Sequence, residues 1–114
     1  LCHFERAIGF TGSDPYQEVV RWLAVHRGAE ARVFETLSYF DGVNFARRAD
    51  AATLFSVGLL DPVCPPSTVY AAFNAYGGAH KEMSVFPFNE HEGGEGYQWE
   101  AQAGFLRRVL GGTP

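Results

Sequence analysis

Cysteine is scarce in this sequence. Cys2 and Cys64 are the two among 114 residues, too few for a disulfide framework, and they read as reduced thiols of a cytoplasmic protein. Positive charge is also in short supply. Nine Lys and Arg face thirteen Asp and Glu, a net charge of −4. That balance argues against nucleic acid or an anionic membrane surface as partner, because both select for an excess of Lys and Arg. No apolar run approaches the roughly 18–20 residues of a transmembrane helix. The opening LCHFERAIGF carries Glu5 and Arg6 where a signal peptide needs an apolar stretch. Internal repeats and low-complexity tracts are missing. So are C-x-x-C, H-E-x-x-H, a phosphate-binding Gly-Lys motif and a dinucleotide fingerprint. His91-Glu92 lacks the second His that a zinc helix needs, so metal binding is not expected.

What is present suits one soluble globular domain: 46% hydrophobic and 19% charged residues. Asp14-Pro15 reads as a helix start, with Asp14 as N-cap and Pro15 at the first helical position. Tyr16, Val19, Val20 and Leu23 follow at helical spacing, and Gly28 is the expected stop. A second helical pattern runs from Ala29 to Tyr39 and breaks at Asp41-Gly42. A short helix is expected over Val43–Arg48, its terminal arginines suiting a helix C-terminus. Residues Thr53 to Leu60 form an aromatic and β-branched run without alternation, which reads as a strand buried on both faces of a parallel sheet. Pro65-Pro66-Ser67 opens a helix with its body over Thr68–Tyr76. A second strand is expected over Met83–Phe88, then a loop over Asn89–Gly94. A final helix is expected over Gly96–Leu110, with Trp99, Ala103, Leu106 and Leu110 on one side. Strand, helix, strand, helix is the signature of an α/β fold.

In parallel sheets, functional groups gather beyond the carboxyl ends of the strands. Asp61 and His91 fall there, one after each strand, and adjacent parallel strands would bring them together. A carboxylate bonded to one imidazole nitrogen fixes the tautomer and stabilises the imidazolium formed when the other nitrogen takes a proton. The plainer alternatives are that Asp61 is a turn residue before Pro62 and His91 a solvated loop residue. Glu90 and Glu92 flank His91, either to act on its charge or to keep the loop soluble. His3, His26 and His80 carry no sign of a functional partner. Cys64 follows an acidic residue rather than a glycine turn, which favours a small buried thiol over a nucleophile. A hydrolase triad would also need a serine in a G-x-S-x-G elbow. Ser13, Ser38, Ser56, Ser67 and Ser84 all lack the flanking glycines.

The run SVGLLDPVCPPSTVYAAFNAY, followed by VFPFNEHEGG, resembles the acetyl xylan esterase / cephalosporin-C deacetylase family, carbohydrate esterase family seven. LCHFERA and ETLSYFDGVNFARRA resemble it too, so the likeness runs from Leu1 to about Leu110; Glu5 and the GGAHKE stretch depart from the pattern at its periphery. The resemblance implies the C-terminal part of an α/β-hydrolase fold and an esterase with a Ser-His-Asp triad. In it Asp61 is the triad acid and His91 the triad base, and Val63, Cys64 and Pro15 line the acyl pocket. It places the nucleophilic serine and the oxyanion donors upstream of Leu1, so the 114 residues read as the second half of a domain cut just past a core strand. The hydrophobic content then partly reflects surfaces meant for strands that are not here, and the chain alone is expected to be inactive and marginally stable. The resemblance further implies acetylated xylo-oligosaccharides and cephalosporin C as substrates, no cofactor, and a cytoplasmic homo-oligomer, a hexamer. A related α/β-hydrolase peptidase and a non-catalytic interaction or oligomerisation module are the alternatives.

Overall fold

The computed structural model describes residues 2–111; the reading of Leu1 as a cut end falls outside them. The chain order is α1 (Phe4–Phe10), α2 (Tyr16–Val25), α3 (Glu30–Ser38), α4 (Gly42–Ala46), β1 (Thr53–Gly58), α5 (Pro66–Ala75), β2 (Lys81–Phe86) and α6 (Glu95–Val109). A single 3-10 turn, Arg27–Ala29, joins α2 to α3 and contains Gly28.

The two strands pair in parallel, from Thr53 opposite Lys81 to Gly58 opposite Phe86. Both strands lie two residues earlier at one or both ends than the sequence pattern suggests. β1 stops at Gly58, and Leu59 and Leu60 already turn, their amides donating to the Phe86 and Asn89 carbonyls. β2 begins at Lys81 and ends before Pro87, whose ring nitrogen has no proton for a ladder. Nor is β1 sandwiched throughout its length. Val57 and Gly58 are buried while Thr53 to Ser56 remain half-exposed, because two strands cannot cover each other's edges.

α5 starts where expected. Pro66 occupies its first turn, and the Thr68 hydroxyl donates to the Pro65 carbonyl at 2.8 Å. At its other end the Lys81 ammonium donates to the carbonyls of Phe73 (2.8 Å) and Tyr76 (3.3 Å), neutralising the negative end of the helix. Phe55 of β1 meets Phe73 and Tyr76 edge-on, at centroid separations of 5.5 and 5.6 Å. These contacts fasten α5 across the sheet.

α1 is a helix for which the sequence pattern offered no element. Its surroundings are nonetheless the apolar centre of the molecule. Ala7, Ile8 and Tyr16 are buried together, with Phe4, Val19, Val20, Phe34 and Leu37 packed around them. Asp41 explains how α1 is held. Its carboxylate accepts from the amides of His3 (2.8 Å) and Phe4 (2.9 Å) at the head of α1 and from Val43 (2.9 Å) at the head of α4. One side chain thus caps two helices, where the sequence suggested only a helix break. Asp14, by contrast, caps nothing. Pro15 precedes α2 with no side-chain cap, and Asp14 pairs with Arg21 at 2.9 Å on the surface.

The radius of gyration is 16.4 Å, against about 13 Å for a compact chain of this length. The extents are 58 × 30 × 15 Å, so the chain is a slab rather than a ball. Its faces carry uncovered large apolar groups. On α6, Trp99, Leu106 and Leu110, which the sequence places on one side of the helix, are exposed, Trp99 at 74%. Phe105 and Gln98 are the buried residues of that helix instead.

Candidate functional site

Asp61 and His91 meet beyond the carboxyl ends of the paired strands. His91 Nδ1–H donates to Asp61 Oδ2 at 3.0 Å; an ionised carboxylate only accepts, which sets the direction. The Asp61 side chain is 10% exposed and that of His91 59%. The imidazole therefore leans on a largely covered carboxylate while more than half of its own side chain is open. Among the described residues no hydrogen bond engages Nε2.

Asp61 also organises its own loop. Its other oxygen, Oδ1, accepts from the amides of Val63 and Cys64, each at 2.8 Å. The turn residue and the partner of His91 are thus the same carboxylate, each oxygen with its own task. Hydrogen bonds to a charged acceptor are worth about 1.5–3 kcal/mol, so the turn and the carboxylate orientation stabilise each other. A second brace comes from the link between α1 and α2. The buried Thr11 hydroxyl and the Ser13 hydroxyl (3.2 Å) both donate to the Pro62 carbonyl. Nothing in the local pattern of Thr11-Gly12-Ser13 marks this role.

The His91 loop is braced from within. Asn89 Nδ2 and the Glu90 amide donate to the two Glu92 oxygens at 2.6 and 3.0 Å. The Asn89 hydrogen bond foremost, with backbone donors, holds the Glu92 carboxyl below the usual carboxylate range. Glu92 therefore serves loop shape. Gly58 lets this loop approach β1. A Cβ there would strike the Glu90 carbonyl oxygen and lie 2.7 Å from that of Asn89. Gly94, at φ 90°, turns the chain into α6 with its α-carbon against the Phe86 ring.

The residues expected to line a pocket are brought in unequally. Val63 and Cys64 are half-buried beside Asp61. The Cys64 sulfur, an Asp61 oxygen and a His91 ring nitrogen lie within 4.8 Å of one another. Pro15 is exposed at the head of α2 and makes no hydrogen bond to Asp61 or His91. Its neighbour Tyr16 is the buried one. Burial chiefly, and then the nearby Cys64 thiol, drive its phenol far above the ordinary range, so it stays neutral. Cys2 and Cys64 are both free thiols, and burial raises the Cys2 pKa as well. The other histidines take no part here. His26 stacks on Trp22 at 4.0 Å and donates from Nδ1 to the Trp22 carbonyl. An open groove of about 820 Å³ between α1, α2 and α3, lined by Ile8, Thr11, Val20 and Phe34, stands apart from the Asp61–His91 pair. No described helix is long and apolar enough to cross a membrane.

The family model for acetyl xylan esterase (AXE1) matches residues 1–109. The chain belongs to the acetyl xylan esterase family. Two solved members superpose on it. The acetyl xylan esterase from Paenibacillus sp. R4 does so with a TM-score of 0.89 and 40% identity, over 96% of this chain and 35% of that one. Acetyl xylan esterase 1 from Thermoanaerobacterium sp. JW/SL YS485 gives 0.82 and 33%, over 94% and 35%. The acetyl esterase Axe7A of Xylanibacter ruminicola is 45% identical over 56 residues, 49% of this chain and 12% of that protein. The α/β class read from the order of elements is therefore that of the α/β-hydrolase fold of these esterases. The chain spans about a third of the length of the solved esterases it matches.

Proposed function

We propose that the protein carrying this chain is a serine carboxylesterase that removes acetyl groups from small esters, with Asp61 and His91 as two members of its triad. The observation that carries the reading is the 3.0 Å Nδ1–Oδ2 contact across the ends of two adjacent parallel strands, in a chain of the acetyl xylan esterase family. The nucleophilic serine and the oxyanion donors come from the remaining two thirds of the domain, upstream of this C-terminal part. The serine hydroxyl attacks the acetyl carbonyl as its proton passes to His91 Nε2. His91 then protonates the departing alcohol, and a water repeats the cycle on the acyl-enzyme. Asp61 keeps the other ring nitrogen protonated and stabilises the transient imidazolium. Oxyanion donors of this kind contribute about 2.7–4 kcal/mol each.

Val63 and Cys64, carried on the Asp61 turn, would border the acetyl methyl, with Pro15 further out. Acetylated xylo-oligosaccharides and the acetyl ester of cephalosporin C are the substrates proposed. The acidic net charge of −4 suits neutral esters better than polyanions. The open apolar side chains of α6, Trp99 and Leu110 among them, support burial against the rest of the enzyme and within a homo-oligomer, proposed as a cytoplasmic hexamer. The test is His91→Ala in the full-length enzyme. Hydrolysis of p-nitrophenyl acetate should vanish while the circular dichroism spectrum stays that of the wild type. Undiminished turnover by that variant refutes the assignment.

A further inference from the structure

We propose that Asp61, Cys64 and His91 form an inhibitory binding site for a borderline-soft divalent cation such as Zn²⁺. The inference goes beyond the esterase reading and rests on it only for the consequence, loss of turnover. The site itself rests on geometry. One carboxylate oxygen, one thiol sulfur and one imidazole nitrogen lie within 4.8 Å of one another. Zinc bonds to oxygen, nitrogen and sulfur of about 2.0–2.3 Å place tetrahedral neighbours roughly 3.3–3.8 Å apart. The Asp61–His91 pair is already at 3.0 Å. A modest rotation of the Cys64 side chain closes the other two edges.

The chemistry of the donor set fits a borderline-soft ion. Thiolate and imidazole select zinc over magnesium or calcium, which prefer an all-oxygen shell. The support around the donors is also present. Two of the three sit on one turn, whose carboxylate is pinned through Oδ1 by the amides of Val63 and Cys64. The third sits on a loop braced by Asn89 and Glu92. Such outer contacts orient ligands and raise affinity. His91 is more than half exposed, which gives the ion a way in and a fourth position for water. On binding, the Cys64 thiol gives its proton to solvent and the imidazole proton moves from Nδ1 to Nε2. The ion then takes the place of the Asp61–His91 hydrogen bond. The Nε2 that must accept the serine proton already carries one, so turnover stops. Spacing in the sequence offered no metal motif, because the donors meet only through the pairing of β1 and β2.

Cobalt(II) is the spectroscopic probe. Added to the full-length protein, it should give a near-ultraviolet thiolate-to-cobalt charge-transfer band. Cys64→Ser should abolish the band and Cys2→Ser should keep it. Zinc should inhibit p-nitrophenyl acetate hydrolysis in the wild type, reversibly on chelation. The zinc concentration for half inhibition of Cys64→Ser, relative to its own metal-free rate, should rise by about tenfold or more, since loss of an outer contact alone costs about 10–100-fold in metal affinity. No band in the wild type, a band that persists in Cys64→Ser, or equal zinc sensitivity of the two proteins overturns the proposal. A band in a protein that hydrolyses no ester keeps the cation site and removes the esterase reading.

Discussion

Replacing Asp61 with Asn separates the two tasks of this carboxylate. Oδ1 accepts two backbone amides at 2.8 Å and Oδ2 accepts from His91. In Asp61→Asn the amide oxygen must occupy the Oδ1 place, because an NH₂ there would meet two N–H donors. The amide nitrogen is therefore forced towards His91 Nδ1. A donor facing Nδ1 selects the tautomer protonated on Nε2, the atom that receives the serine proton in the mechanism proposed above. The loop survives, since its acceptor is kept, and the melting temperature should move by only a few degrees, as for a change of about 1 kcal/mol. Turnover should not survive. A wrong tautomer in such a triad costs about 10,000-fold in kcat, or about 5 kcal/mol of barrier. Initial rates of p-nitrophenyl acetate hydrolysis by the full-length enzyme, with KM determined separately, measure this. A kcat within about tenfold of the wild type, with the fold intact, would show that Asp61 merely shapes its turn.

Two further outcomes probe the scaffold beneath the pair. Gly58→Ala places a methyl on the carbonyls of Asn89 and Glu90, so it should cost about 1–3 kcal/mol in urea denaturation and displace the His91 loop enough to depress kcat; wild-type values of both would contradict the close packing described. The Glu92 carboxyl should titrate below its ordinary value of 4.5 when followed by carboxyl-carbon NMR, and Asn89→Ala should bring it back up. The sign follows from linkage. A depressed folded-state pKa means that the brace is present above the unfolded pKa and is lost as pH falls through the folded one. An unshifted Glu92 midpoint in the wild type would refute the brace.

Much of this architecture is legible along the chain. The period-3.6 patterns located α2, α3 and α6, and the prolines at its head located α5, to within a residue or two. The dense apolar run at Thr53 and the stretch before Pro87 located the strands, and the glycine-rich loop after the second strand marked His91. Those signals are local: periodicity, prolines and glycines act within a turn or two of where they stand. The strand ends were less legible, since Leu59 and Leu60 are as apolar as the strand but turn to reach the carbonyls of Phe86 and Asn89. α1 escaped notice because seven residues at the head of the chain carry too short a pattern, and its cap, Asp41, arrives from far along the sequence.

By itself, then, the sequence determined the α/β order, the motifs of the acetyl xylan esterase family, and the placing of one carboxylate and one imidazole after successive strands. Tertiary structure decided how the carboxylate divides its two oxygens between turn and imidazole, and that Thr11 pins Pro62. It also decided that Cys64 joins Asp61 and His91, and that the apolar stripe of α6 faces outward. The physical reason is the range of the interactions. Propensity and periodicity are summed over neighbours in the chain, whereas a hydrogen bond between residues 30 apart, as for Asp61 and His91, exists only after β1 and β2 have paired and brought their loops to one end of the sheet.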